Sequence, residues 1–135
     1  MIENGMKILD LTLKKEWYNM IESGIKTEEY REIKPYWCNR LLYYTTLGVK
    51  EYWEPVLERG RELIKQHSVF AFSKSLIRDY GTRRYTHVRF RYGYTKQTML
   101  FELNELCIGI GNKEWGAPEE EVFILKLGNR IWEEK

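Results

Sequence analysis

From Arg83 onward the apolar period of the chain drops to two, and this switch constrains the fold more than any other feature. Val88, Phe90, Tyr92 and Tyr94 alternate with Arg83, Tyr85, His87, Arg89 and Arg91. Such alternation sends one set of side chains to each face of a β-strand. Met99–Ile110 reads as a second strand region, with Phe101, Leu103, Ile108 and Ile110 as core candidates. After the turn-rich Asn112–Pro118, the run Val122–Leu127 reads as a last buried strand ahead of Gly128.

Upstream the pattern is mixed. Met6–Leu11 alternates as a first strand. Thr12 is placed to cap a helix over Leu13–Ser23, where Leu13, Trp17, Met20, Ile21 and Gly24 recur at spacings of three and four. Gly24 suits the end of that helix, because glycine adopts a positive φ with least strain. Thr27–Ile33 is a strand, stopped at Lys34 by Pro35. Tyr36–Tyr44 is a short helix or turn. Lys50–Gln66 is the longest helical pattern, with Trp53, Val56, Leu57, Leu63 and Ile64 on its apolar side. Pro55 implies a helix start near Glu54 or a kink there. Val69–Phe72 is a short strand and Ser73–Thr82 a loop or short helix. Several short strands with helices inserted early predict an α+β domain, a small mixed β-barrel with flanking helices. A length of 135 residues, with no repeat or linker, fits one domain.

The formal net charge of +2 gives no global field to attract nucleic acid. The local distribution differs: no acid occurs between Thr82 and Phe101, while Arg83, Arg84, Arg89 and Arg91 fall there with Tyr85 and His87. Two readings fit that stripe. It pairs phosphates and stacks bases of an irregular or single-stranded RNA, or it is a solvated face whose charges keep a strand from pairing with other chains.

Two cysteines, Cys38 and Cys107, and two histidines, His67 and His87, stand apart in no metal-ligand spacing. No metal site or cofactor is expected, and both thiols read as apolar fillers. No signal pattern opens the chain and no apolar run reaches membrane-spanning length, so a cytoplasmic protein without membrane contact is expected. Aromatic residues make up 15% of the chain, with ten Tyr and five Trp. Tyr36, Trp37 and Trp115 are candidate walls of a base-sized pocket. Core packing is the alternative for each, and the preferred one for Trp37.

The segment that reads as chemistry first is Gly24-Ile25-Lys26-Thr27-Glu28-Glu29-Tyr30-Arg31. It sets both charge signs and a titratable amine where the chain turns from helix to strand. Burying such a cluster is costly without solvent, a partner or a ligand. Glu29 and Arg31, two apart on a strand, share a face. They form an ion pair closing the end of a barrel, or Arg31 forks onto a phosphate while Glu29 accepts a base or ribose proton. Lys26 is stabilised by the helix C-terminus, or it faces a cleft as a phosphate contact, nucleophile or base.

The spacing Gly24-x-Lys26-x-x-Glu29-x-Arg31, preceded by Trp17 and Ile21, resembles the hallmark of ASCH domains, members of the PUA-like superfamily of small β-barrels. The later order is similar as well: His87–Tyr94, Glu102–Ile110, Trp115-Gly116-Ala117, then Phe123 to Lys126-Leu127-Gly128. The likeness covers Met6–Lys34 and Val88–Ile131 and leaves about 41–86 as a helical insertion, available to a protein partner. It implies an RNA- or nucleoside-binding domain with its cleft at the motif. Some members hydrolyse an acetylated cytidine nucleoside and others cleave RNA, which would give Lys26, Glu29 and Arg31 catalytic roles. In the acetylcytidine hydrolases a threonine stands where this chain has Glu29. Their distant glutamate is matched only by Glu102, so that activity is the less supported implication.

Overall fold

The computed structural model describes residues 2–3, 5–43, 49–66 and 76–133. In chain order the elements are β1 (Ile2–Glu3), β2 (Met6–Leu13), α1 (Lys15–Glu22), β3 (Glu28–Arg31), α2 (Pro35–Leu41) and α3 (Val49–Gln66). Then follow β4 (His87–Tyr92), β5 (Thr98–Ile110), a 3-10 turn at Lys113–Trp115 and β6 (Glu121–Ile131). A further helical turn covers 76–80. The strands hydrogen-bond in the order β1-β2-β4-β5-β6-β3, five of them curling into a half-barrel. The α+β class and the barrel-like sheet expected from the sequence are those of the fold.

The first strand runs two residues further than Leu11. Leu9, Leu11 and Leu13 are buried and alternate with exposed Asp10 and Thr12, a period of two that outweighs the helical spacing from Leu13. Thr12 pairs with Arg91 across the parallel β2–β4 ladder and caps nothing; α1 begins after Lys14, without a side-chain cap. The buried face of α1 is made by Tyr18 and Ile21. Tyr18 packs on Tyr92 of β4 at 4.9 Å between ring centroids. Trp17 and Met20 are only half-buried.

β4 starts at His87, so the expected stripe is divided. Arg83 and Tyr85 precede the strand and are held by the α2 segment. The Arg83 guanidinium donates to the carbonyls of Asn39 (2.7 Å) and Leu42 (3.2 Å), and the Tyr85 hydroxyl donates to that of Arg40 (3.0 Å). On the apolar side Val88 and Phe90 are buried, but Tyr94 falls in the turn after β4 and is fully exposed. β5 enters the core at Met99, Leu100 and Phe101, whereas Ile110 is exposed. Two register shifts, one between Phe101 and Leu103 and one between Leu103 and Glu105, interrupt the β5–β6 ladder. Irregularities of this kind bend a strand pair, which suits a sheet that curls.

α3 begins at Val49, so Pro55 lies inside it rather than at its start. There the ring deprives the helix of one backbone donor. Trp53 and Leu57 of α3, Leu41 and Leu42, and Leu76 belong to the same buried cluster as Leu9, Val88 and Phe123 of the sheet. The segment 41–86 therefore contributes to the main core rather than only decorating it. The side chains of Leu63 and Ile64, the strand expected at Val69–Phe72 and the first part of the Ser73–Thr82 segment lie outside the described residues. Among the described residues no helix is long and apolar enough to cross a membrane.

Candidate functional site

Three elements bring the Gly24–Arg31 charges together. At the end of α1, Gly24 takes a φ of +85°, and the chain folds back so that the Lys26 N–H donates to the Met20 carbonyl (3.0 Å). Edge strand β3 then pairs antiparallel with β6, Glu29 opposite Leu125 and Arg31 opposite Phe123. The 3-10 turn at Lys113–Trp115 closes over the result.

Lys26 is the centre of the site. It is 2% exposed, and its Nζ lies 3.1 Å from Glu29 Oε1 and donates to the Trp115 carbonyl at 2.6 Å. The rings of Tyr30 and Trp17 stand 4.7 Å and 5.3 Å from the ammonium, within cation–π range. Gly116, at a φ of +95°, lets the Trp17 indole approach: a Cβ there would lie 3.0 Å from the ring. Burial is the main influence on Lys26 and pulls its pKa below 10.5; the Glu29 carboxylate pulls it back up, and Arg31 adds to the lowering.

Glu29 is shared. Its second oxygen accepts an ion pair from Arg31 Nη1 at 3.0 Å, so Lys26, Glu29 and Arg31 form one chain of charges. Arg31 lies 5.0 Å from the Trp37 ring and donates a long bond, 3.4 Å, to the Thr12 carbonyl. Its Nε is buried without a partner. Tyr30 donates to Glu28 (2.8 Å) and accepts from the Asn112 N–H (3.0 Å). Burial first, and Glu28 with it, push the phenol up to about 12 against the opposing Asn112 bond, so it is neutral at physiological pH.

Beside Arg31 lies a cleft of about 580 Å³, lined among others by Tyr30, Arg31, Lys34, Arg61, Gly116 and Glu121. Of the motif charges only Arg31 reaches it. Glu121 brings an oxygen that is buried without a partner. Lys34 is paired with Glu32 at 2.9 Å, both well exposed, and such a pair adds little in water.

The other predicted residues lie elsewhere. Tyr36 is 57% exposed, packs edge-on against Trp37 and stands outside the Arg31 cleft. Trp115 contributes its carbonyl to Lys26, while its ring packs with the small cluster of Tyr30, Ala117, Val122 and Ile124. Glu102 faces His87 across the β4–β5 ladder and makes no ion pair with Lys26. Of the strand cations, Arg89 is held by Glu133 (3.2 and 2.8 Å) and Asp10 (3.5 Å). Arg91 is exposed and donates to the Thr95 carbonyl, and His87 Nδ1 lies 2.8 Å from the Thr86 hydroxyl. Arg61 is the residue that sequence reasoning missed: it sits on the polar side of α3, and nothing in its spacing ties it to Arg31. Cys38 is buried, which pushes its thiol up to about 12, and among the described residues no group of ligands could hold a metal ion.

The chain matches no protein-family model, no curated protein and no solved structure.

Two consequences can be measured. Removing the shared charge with Glu29→Gln leaves Lys26 without a counter-charge in a dry site; a loss of about 3–5 kcal/mol is expected in urea unfolding. A surface-like effect below about 1 kcal/mol would contradict the burial described. The second concerns pH. Folded Lys26 holds its proton less tightly than in the unfolded chain, so between its lowered pKa and 10.5 the unfolded state carries more protons and stability rises with pH. The stability of the wild type relative to Lys26→Met should therefore climb as pH is raised toward 10.5. A flat or falling difference would show that the ammonium is not desolvated.

Proposed function

We propose that this chain is an ASCH-like, PUA-like domain that binds RNA or a modified nucleoside in the cleft beside Arg31. The observation that carries the reading is the convergence of Lys26, Glu29 and Arg31 on one point, with Arg31 alone opening onto a cleft that also holds Lys34 and Arg61. In this reading Lys26 and Glu29 hold Arg31 in place, and Arg31 meets the ligand. Arg31 and Glu121 line the cleft as a donor and an acceptor group, suited to a phosphate or base edge and to a ribose hydroxyl or exocyclic amine. The weak Lys34–Glu32 pair exchanges readily for a phosphate. Arg91 extends the cationic surface along β4, with His87 beside it, while Arg89 is already engaged by acids and Arg83 and Tyr85 serve the α2 segment.

Anisotropy titration of a labelled single-stranded RNA tests this. Contacts from Arg31, Lys34 and Arg61 predict that log K falls with log salt at a slope of about −2, from about −0.7 per phosphate neutralised. Arg31→Ala should weaken binding at least about tenfold, from the loss of a charge-assisted bond, with folding checked by circular dichroism. Lys34→Ala and Arg61→Ala should each flatten the slope. Absence of affinity for RNA and nucleosides, or affinity indifferent to all three changes, would remove the reading.

One observation favours a second reading, a hydrolase of a modified nucleoside or of RNA: burial lowers the pKa of Lys26, as a lysine nucleophile or base requires. Lys26 would attack or polarise the reacting centre, Glu29 would move protons and Arg31 would stabilise developing negative charge. Access would require the Trp17–Gly116 contact to part. Incubation of acetylcytidine or RNA with wild type and Lys26→Ala decides it: product from the wild type alone supports hydrolysis, and product from neither eliminates these reactions.

A further inference from the structure

The sheet is open along one seam. β1 pairs only with Met6 and Lys7, so beyond them β2 is an edge strand. The Lys7 and Leu13 carbonyls accept from Thr86 and Gly93 on the β4 side, and the alternation of a strand turns the Asp10 and Thr12 carbonyls outward. Both find an arginine from across the seam. Arg31 of β3 donates to the Thr12 carbonyl at 3.4 Å, and Arg40 of α2 to that of Asp10 at 3.3 Å. Each bond is longer than the usual range of about 2.7–3.2 Å, so neither sets the plane of its guanidinium by itself.

One ring lies against both. Trp37, half-buried on α2, stands 5.0 Å from the Arg31 guanidinium and 5.5 Å from that of Arg40, each within cation–π range. Tyr36 packs edge-on against Trp37 at 4.8 Å, and its hydroxyl accepts from Arg40 Nη1 at 3.3 Å. Arg40 makes no ion pair with any described residue. A guanidinium laid against two rings and a carbonyl, with no acid to neutralise, serves to hold those rings. Arg31 needs such support. Glu29 meets it at Nη1 alone, at 3.0 Å, and a one-point contact lets the group pivot where two parallel bonds would fix it. The face of Trp37 supplies the missing restraint, because a planar guanidinium stacks on an aromatic ring.

We infer that Trp37 is a positioning residue for Arg31, with Arg40 as the brace that keeps the indole in place. The inference rests on the reading of Arg31 as the ligand contact of the cleft, which Trp37 itself does not line. The ring is then neither a pocket wall nor core packing alone.

Two measurements test it. Without ligand, the Arg31 Nε–H signal in NMR reports the mobility of the side chain, and its burial slows exchange with water. Its heteronuclear NOE should be that of a rigid group in wild type, fall in Trp37→Leu and recover in Trp37→Phe, which keeps an aromatic face. With labelled single-stranded RNA, Trp37→Leu should weaken binding about 2- to 30-fold, the range of one cation–π contact. In an Arg31→Ala background the same change should cost nothing further. The salt slope should stay the same in Trp37→Leu and Arg40→Leu; a slope flatter by about 0.7 in Arg40→Leu would make Arg40 a phosphate contact and overturn its role as a brace. If Trp37→Leu loses its fold by circular dichroism, Arg40→Leu carries the test, with a looser Arg31 expected. RNA binding unmoved by loss of the indole, a loss undiminished without Arg31, or an Arg31 signal equally rigid in the variants would overturn this inference alone. Absence of RNA binding by wild type would remove the reading beneath it, and the inference with it.

Discussion

The rest of this structure is arranged around a single buried ammonium. Lys26 has left water almost completely, and an isolated charge in that position would be prohibitive. Glu29 makes it tolerable from one side and the Trp115 carbonyl from another, with the rings of Trp17 and Tyr30 filling the remaining directions. The partners come from three elements: Trp17 from α1, Glu29 and Tyr30 from β3, and Trp115 from the 3-10 turn. The ammonium thus ties α1, edge strand β3 and the 3-10 turn before β6 to one another, and none of these can shift without exposing or orphaning a charge.

That arrangement also divides the motif into a holding part and a presenting part. Glu29 commits both oxygens to Lys26 and Arg31, which leaves the guanidinium as the group that faces the neighbouring cleft. A planar guanidinium held by Glu29 and the Thr12 carbonyl is better suited to an anionic or base-edge ligand than a flexible amine would be. The same geometry weighs against direct chemistry at Lys26 in the resting fold, because its lowered pKa comes from the burial that keeps substrate away.

The opposite end of the sheet shows the reverse disposition of charge. Arg89 meets Asp10 and Glu133, and Arg130 of β6 meets Glu22, so of the cations that look like a continuous basic stripe along the chain Arg89 is neutralised in place, while Arg83 and Arg91 bond backbone carbonyls. What remains open there is an exposed indole, Trp132, with the Arg130 guanidinium against its ring.

The sequence by itself determined the period-two strands, the helix ending at Gly24 and the identity of the Lys26, Glu29 and Arg31 cluster, because these depend on spacing along a few residues and on the φ that glycine allows. It placed Val88 and Phe90 inside and Trp53 and Leu57 on the buried side of a helix for the same reason. It read Thr12 as a cap and Arg83–Arg91 as one face, since local spacing cannot tell that Leu13 continues a parallel ladder or that Arg83 is drawn to the carbonyls of Asn39 and Leu42. The burial of Tyr18 and the place of Arg61 beside Arg31 were equally hidden. Only the tertiary structure decided that Arg89 meets Asp10 and Glu133, that Lys126 meets Glu105 and that Arg130 meets Glu22, because those partners lie far apart in the chain and only the fold brings them within reach.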